Sequence, residues 1–267
     1  MEKENDRLVA DELDGALIAH GLDRFALLYR EVTGSTNADV IDYYREHREE
    51  SIAVCEMQTA GRGRRGREWF SPFAQNIYCT IGIEKSIPAS CLGLLSIVSG
   101  IALCQAIAAH GIPGVRLKWP NDLLHRGRKL GGILIESQPT QDDCYFLAIG
   151  FGINVRMRDD QLDEIPLAAT SLDRVSPGGV NRQALLVDMI TAVVGRIVGF
   201  SEFRAADLVR EFESYDAFYR QPVLVIGADG EVGGMNAGIN EKGQLLVDTD
   251  MGREIFSAAE ISLRGLD

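Results

Sequence analysis

The sequence predicts an α/β (α+β) chain in two parts: strands alternating with helices, then a compact run of antiparallel hairpins. Three observations carry this reading. Asn76–Ile83 places Ile77, Cys79, Ile81 and Ile83 on one face at period two, the mark of a strand. Cys91–Ala109 runs nineteen residues without a charge, too long for a strand and suited to a buried helix. Beyond Gln221-Pro222 the segments shorten and fill with Val, Ile and Leu. They are separated by Asp229-Gly230, Lys242-Gly243 and Met251-Gly252, which read as hairpin turns.

The elements follow in order. Residues 1–30 read as a short helical segment with Leu13, Leu17 and Ile18 on one face. Gly34-Ser35-Thr36-Asn37 reads as a helix start, with Ser35 or Thr36 as its cap. Ser51–Met57 and Asn76–Ile83 are strands. Cys91–Ala109 is long enough to cross a bilayer, yet Ser96, Ser99 and Gln105 and the absence of a basic flank favour a core helix. Val115–Trp119, Lys129–Glu136 and Cys144–Ile153 are three further apolar strands. Helical periodicity returns over Asn181–Phe200, through Leu185, Leu186, Met189, Val193 and Ile197, with Asn181 as N-cap. A shorter helix covers Ala205–Phe218, and a small sheet or barrel of about fifty residues closes the chain.

Composition narrows the class. The 267 residues are 46% hydrophobic and 25% charged, enough for a packed core. Lys and Arg total 27 against 39 Asp and Glu, a net charge of −12 that disfavours generic binding to nucleic acid or an anionic membrane. The five cysteines lie in apolar runs without metal-ligand spacing, so they read as reduced core residues of a cytoplasmic protein. The acidic N-terminus does not read as a signal peptide.

Five short stretches could carry chemistry. Gly61-Arg62-Gly63-Arg64-Arg65-Gly66-Arg67 packs four arginines into an acidic chain. Its N–H groups and guanidinium forks suit a carboxylate or phosphate. A solvated flexible loop and an arginine–glycine segment for single-stranded RNA remain alternatives. Lys118-Trp119-Pro120-Asn121-Asp122 is either a strand-ending turn or a set of polar groups at the end of a buried strand, where ligand sites of open sheets lie. Arg128-Lys129-Leu130-Gly131-Gly132 brings a lysine into an apolar strand, where it either snorkels to water or meets an anion. Ser35-Thr36-Asn37 is accounted for by capping alone. Gly150 and Gly152 indicate a bulge, or close approach of another backbone or a flat ligand.

Taken together and in order, these stretches resemble the biotin protein ligase family. The run is Ser35-Thr36-Asn37; Gln58-Thr59-Ala60 leading into the arginine–glycine stretch, with Trp69 after it; Lys118–Asp122; Arg128–Leu134; and Gly152-Ile153-Asn154-Val155. The resemblance implies a mixed sheet flanked by helices, like class II synthetases, followed by a small SH3-like barrel. It implies an N-terminal segment over 1–30, a catalytic unit over 31–218 and a barrel over 219–267. It also implies an ATP-dependent ligase that makes biotinyl-5′-AMP with Mg²⁺ and passes biotin to a lysine of a biotin carboxyl carrier protein, a subunit of acetyl-CoA carboxylase. About thirty residues precede the Ser-Thr-Asn stretch, too few for the DNA-binding domain of some family members, so no DNA and no membrane partner is expected. Pairing into a homodimer is a further implication.

By the same resemblance, Ser35, Thr36, Asn37, Gln58 and Gly132 contact biotin. Arg62, Gly63 and Arg64 cover its carboxylate and the phosphates, and Lys129, which contacts the biotin carboxylate and the α-phosphate, joins Arg64 as the catalytic pair. Trp69, Lys118, Asn121 and Asn154, with Arg64, bind ATP. Asp122 orients the site or a metal, whose ligands are otherwise unassigned. The rival readings are a lipoate or octanoate ligase or transferase of the same fold, and a non-enzymatic binding module.

Overall fold

The computed structural model describes residues 7–141, 143–165, 168–176, 178–227, 230–257 and 262–265, the last four by backbone only. Twelve strands and seven α-helices are found among them. The helices are α1 (Ala10–Ala19), α2 (Thr36–His47), α3 (Leu95–Ala109), α4 (Asp159–Asp163), α5 (Leu172–Val175), α6 (Arg182–Gly199) and α7 (Ala205–Tyr215). The first seven strands are β1 (Ala26–Thr33), β2 (Ser51–Gln58), β3 (Ile77–Ser86), β4 (Val115–Lys118), β5 (Asp122–His125), β6 (Arg128–Gln141) and β7 (Cys144–Ile153). They form one mixed sheet in the order β1-β2-β3-β7-β6-β5-β4. Only the β1–β2 pairing is parallel; the others are antiparallel.

The second sheet holds β8 (Pro222–Gly227), β9 (Gly230–Ile239), β10 (Leu245–Thr249), β11 (Gly252–Phe256) and β12 (Ser262–Gly265), in the order β11-β10-β9-β8-β12. The hairpin expectation is met by antiparallel pairing throughout. Of the turn residues, Asp229 lies outside the described residues; Gly243 and Gly252 both have positive φ. The two sheets are keyed together. The Trp119 Nε1–H donates to the Gly243 carbonyl at 2.9 Å, and Asn236 Nδ2 donates to the buried Asp216 carboxylate at 2.8 Å.

The apolar stretch behaves as a core helix. Ala89–Ala109 is long and apolar enough to span a membrane, but most of it is buried against α6 and the sheet. Asn181 caps α6, its side chain accepting from the Ala184 N–H. Four cysteines are buried free thiols; Cys144 is only half-buried. Burial pushes the Cys55 and Cys104 thiols up to about 12.

Three expectations need correction. The first thirty residues are not helical throughout: α1 ends at Ala19, and residues 26–30 open β1, which pairs with β2 from Ala26↔Ser51 onward. Residues 1–6 of that segment lie outside the described residues. Ile18 is exposed while Leu13 and Leu17 are buried, because the helix turns a narrower stripe to the core than three residues suggested. The chain between Trp119 and Lys129 also forms a strand, β5, which hairpins between β4 and β6.

A buried ion pair ties the N-terminal segment to the sheet. Arg182 on α6 meets Glu56 on β2 at 2.7 Å, with both side chains almost fully buried. Glu56 also accepts from the Leu8 N–H, and Arg182 donates to the Asn76 carbonyl. Charges taken out of water require this number of partners.

Candidate active site

A cavity of about 1000 Å³ opens over one end of β6 and β7. Its lining gathers residues from α2, β2, the loop after β2, the β4–β5 turn, β6, β7 and the segment following α4, and Ile226 reaches it from the second sheet. Ser35, Thr36, Asn37, Gln58, Arg62, Gly63, Arg64, Trp69, Lys118, Asn121, Lys129, Gly132 and Asn154 all line it, as does Asp122.

Glycines shape the floor. Gly132 and Gly152 are register partners on β6 and β7. The Trp69 indole lies across them: a Cβ would stand 2.6 Å from the ring at Gly152 and 3.1 Å at Gly132. At Gly150 a Cβ would run into Asn37 Oδ1. Pairing on both sides of β7 continues without a slip through these positions, so neither glycine marks a bulge. The space expected for a flat ligand ring is filled by the chain's own Trp69 and Asn37. The Trp69 Nε1–H is buried against the Gly152 backbone and meets no acceptor among the described residues.

One end of the cavity is neutral and polar. Ser35 sits at the N-cap of α2, yet its hydroxyl makes no cap hydrogen bond; Gln58 Oε1 instead accepts from the Thr36 N–H at 3.1 Å. Thr80, fully buried on β3, lies 2.8 Å from the Thr36 hydroxyl and 2.7 Å from Asn37 Oδ1. A carbonyl oxygen only accepts, so the single Thr80 proton goes to Asn37. Asn37 Nδ2 donates to Glu136 Oε2 at 2.8 Å and to the Leu134 carbonyl at 3.3 Å.

The other end is cationic. Lys129 Nζ meets Asp122 Oδ1 at 2.7 Å and stands 5.3 Å from the Trp69 ring centroid. The lysine that enters an apolar strand therefore meets an anion. Arg64 Nη1 donates to Asn121 Oδ1 at 3.2 Å, and Asn121 Nδ2 in turn donates to the Ile133 carbonyl at 2.7 Å. Burial lowers the Arg64 pKa, and Arg67 and Arg65 lower it further against the pull of Asp122; a guanidinium stays protonated regardless. Asn154 directs its amide nitrogen to the Thr170 carbonyl and so holds the segment that pairs with Lys129.

The arginine–glycine stretch folds back on itself. Arg62 bridges Glu68, the Gly63 N–H reaches the Arg67 carbonyl at 2.7 Å, and Arg65 and Gly66 take positive φ at the tip. Arg62 Nη2 pairs with Glu136 at 2.8 Å. Thr80, Glu136, Ile226 and the residues after α4 were not foreseen. Glu136 had a signal, being an acid two residues past Leu134 on the same strand face; Ile226 had none. Among the described residues no three His, Cys, Asp or Glu side chains converge as a metal site. The carboxylates that line the cavity are Asp122, Glu68 and Glu164, and Asp122 Oδ1 already meets Lys129, so a hard cation there would take most of its ligands from phosphate and water.

Comparisons with known proteins agree with this geometry. Residues 29–154 match the biotin/lipoate A/B protein ligase family, and residues 221–264 match the biotin protein ligase C terminal domain. The chain is 33% identical over 267 residues to the bifunctional ligase/repressor BirA of Escherichia coli (strain K12), covering 98% of this chain and 79% of that one. It is 31% identical to the biotin–[acetyl-CoA-carboxylase] ligase of Paracoccus denitrificans, covering 87% of this chain and 98% of the relative. A solved biotin protein ligase from Aquifex aeolicus, in complex with biotin and ATP, superposes with a TM-score of 0.74 at 26% identity, covering 90% and 99% of the two chains. By its sequence and its fold, the chain belongs to the biotin protein ligase family.

Proposed function

We propose that this chain forms biotinyl-5′-AMP from biotin and ATP and transfers the biotinyl group to one lysine of a biotin carboxyl carrier protein, the carrier of acetyl-CoA carboxylase. One observation carries the reading: thirteen residues from five separate stretches converge on one cavity that is neutral and polar at one end and cationic at the other. Biotin has the same polarity, a ureido ring at one end and a carboxylate at the other. The ring belongs among Ser35, Thr36, Asn37 and Gln58, because a buried urea must be paired on both its donor and acceptor sides.

The carboxylate oxygen attacks the α-phosphorus, a C–O–P anhydride forms and pyrophosphate leaves. The carrier amine then attacks the carbonyl and AMP leaves. The first step requires two anions held together, and Lys129 and Arg64 are the cations placed to offset their repulsion; in the second the nucleophile is a neutral amine that loses a proton as AMP leaves, and the same cations offset the charge on the departing phosphate. Gly63 belongs at the carboxylate, and Arg62, which pairs with Glu136 beside Asn37, reaches the carboxylate only by leaving that pair; Trp69, Lys118, Asn121 and Asn154 belong along the nucleotide. Asp122, together with the phosphates, would hold Mg²⁺, which would supply neutralisation of phosphate charge. The arginine–glycine loop shields the acyl-adenylate from water.

The names of the relatives and the C-terminal domain match favour biotin over lipoate. The catalytic unit expected over 31–218 has to reach back to Ala26 so that β1 stays whole, and we assign the barrel to 219–267. A cytoplasmic setting fits the free thiols, and a second copy pairing at a sheet edge completes the reading.

Mass spectrometry of a biotin carrier domain incubated with the protein, biotin and Mg-ATP tests this. A gain of one biotinyl group that requires ATP is expected. No gain, or an equal gain with lipoate in place of biotin, overturns it.

A further inference from the structure

We propose that Glu136 is a positioning residue that makes the cavity selective for a ligand bearing ring N–H groups; this rests on the biotin-ligase reading above. Glu136 stands on β6, on the face that carries Gly132 and Leu134 to the cavity. Its Oε2 accepts from Asn37 Nδ2 and from Arg62 Nη2, each at 2.8 Å. Asn37 is buried, and its second amide hydrogen goes to the Leu134 carbonyl. Both donors of the Asn37 amide are thus committed to β6, and the amide cannot flip without facing Glu136 with its oxygen. Oδ1 is turned toward Gly150, where the Thr80 hydroxyl occupies one of its two acceptor positions.

An amide fixed this way can only accept from a ligand. A ureido ring supplies N–H groups to it; a cyclic disulfide or an unbranched acyl chain supplies none. A site built around a fixed acceptor rejects analogues that lack the donor, because the acceptor is then left unpaired. The Arg62 contact is the lesser part of the role, because the Arg62–Glu136 pair is partly exposed and such pairs contribute little.

Biotin binding to the free wild-type and variant proteins, by titration calorimetry, tests the assignment first, and KM for ATP in turnover tests it second. Glu136→Ala is expected to weaken biotin binding at least ~10-fold, the scale of one buried group losing its partner. KM for ATP should shift less than about threefold, as for a residue acting on one substrate only. Glu136→Gln keeps an amide oxygen for Asn37 but not the charge for Arg62, and should recover most of the loss. The preference for biotin over a derivative methylated on its ureido nitrogens should narrow in Glu136→Ala and return in Glu136→Gln. Biotin affinity of Glu136→Ala within about twofold of wild type, or an ATP KM rising in step with it, overturns the assignment. If the wild type itself fails to bind biotin, the functional reading fails first and this assignment with it.

Discussion

Glu56–Arg182 and Asp122–Lys129 are carboxylate–cation pairs of the same length, 2.7 Å, in one sheet-based core. They differ in what surrounds them. The first is sealed, at 0% and 1% exposure, and Glu56 Oε1 also receives the Leu8 N–H and the Tyr29 hydroxyl. The second keeps 15% and 18% exposure and borders the cavity, with Trp69 and Arg64 close by. A sealed pair fixes one arrangement of α6, β2 and the N-terminal segment. A pair beside open volume leaves its cation able to take a second anion. Space beside the charge, rather than the ion pair itself, separates architecture from a candidate catalytic group.

Breaking each pair should therefore give opposite readouts. Glu56→Ala strands the Arg182 guanidinium and leaves two buried donors without their acceptor, so unfolding free energy should fall by about 3–5 kcal/mol. Urea denaturation measures this, and a loss under about 1 kcal/mol would contradict the sealed description. Ligation per folded molecule should persist. Lys129→Ala should do the reverse: biotin binding and stability stay near wild type, while pyrophosphate release slows at least ~100-fold, the scale of one electrostatic contact to a transition state. A rate within a few-fold of wild type would remove Lys129 from the chemistry.

The loop that borders the second pair sharpens the contrast further. Residues 60–67 carry the Arg65–Gly66 turn at positive φ and few buried groups. Trypsin should cut there in the free protein and more slowly with biotin and ATP present; equal cleavage in both states would argue that substrate does not order the loop.

The two regions were unequally legible in the sequence. The period-two strand at Ile77–Ile83, the continuous apolar strand at Cys144–Ile153 and the uncharged helix at Leu95–Ala109 declare themselves, since each is long and its pattern is set by burial. β5 is four residues long, and residues 26–30 carry no alternation strong enough to mark the edge strand they open. Within the site, the named motifs supplied the groups that face the cavity. The groups that hold them, Thr80 and Glu136, act through hydrogen bonds across 43 and 99 residues of chain, which no local pattern encodes. The same holds for Glu56–Arg182, an acid inside an apolar strand whose partner lies far along the chain.

A third buried carboxylate extends the comparison to an acid with no cation. Asp216 joins the two sheets and, among the described residues, accepts only from the Phe218 N–H and Asn236 Nδ2. Burial dominates, and pushes its pKa from the ordinary 3.8 to about 6, against the lowering effect of those two hydrogen bonds. The sign follows from which state ionises first. Below about pH 3 Asp216 is protonated in both states, and its contribution is most favourable. As pH rises toward 6, the unfolded chain ionises freely while the folded one resists, so stability declines, and the loss is complete above about pH 6.5. Two pKa units correspond to roughly 2–3 kcal/mol. Asp216→Asn cannot ionise, so this downward component should vanish between pH 4.5 and 7, although the amide keeps only one of the two acceptor contacts and the variant starts from a lower plateau. Urea denaturation across that range, taken as the difference in slope between variant and wild type, isolates Asp216 from every other titrating group. Equal slopes would mean that the two N–H donors already do for Asp216 what Arg182 does for Glu56.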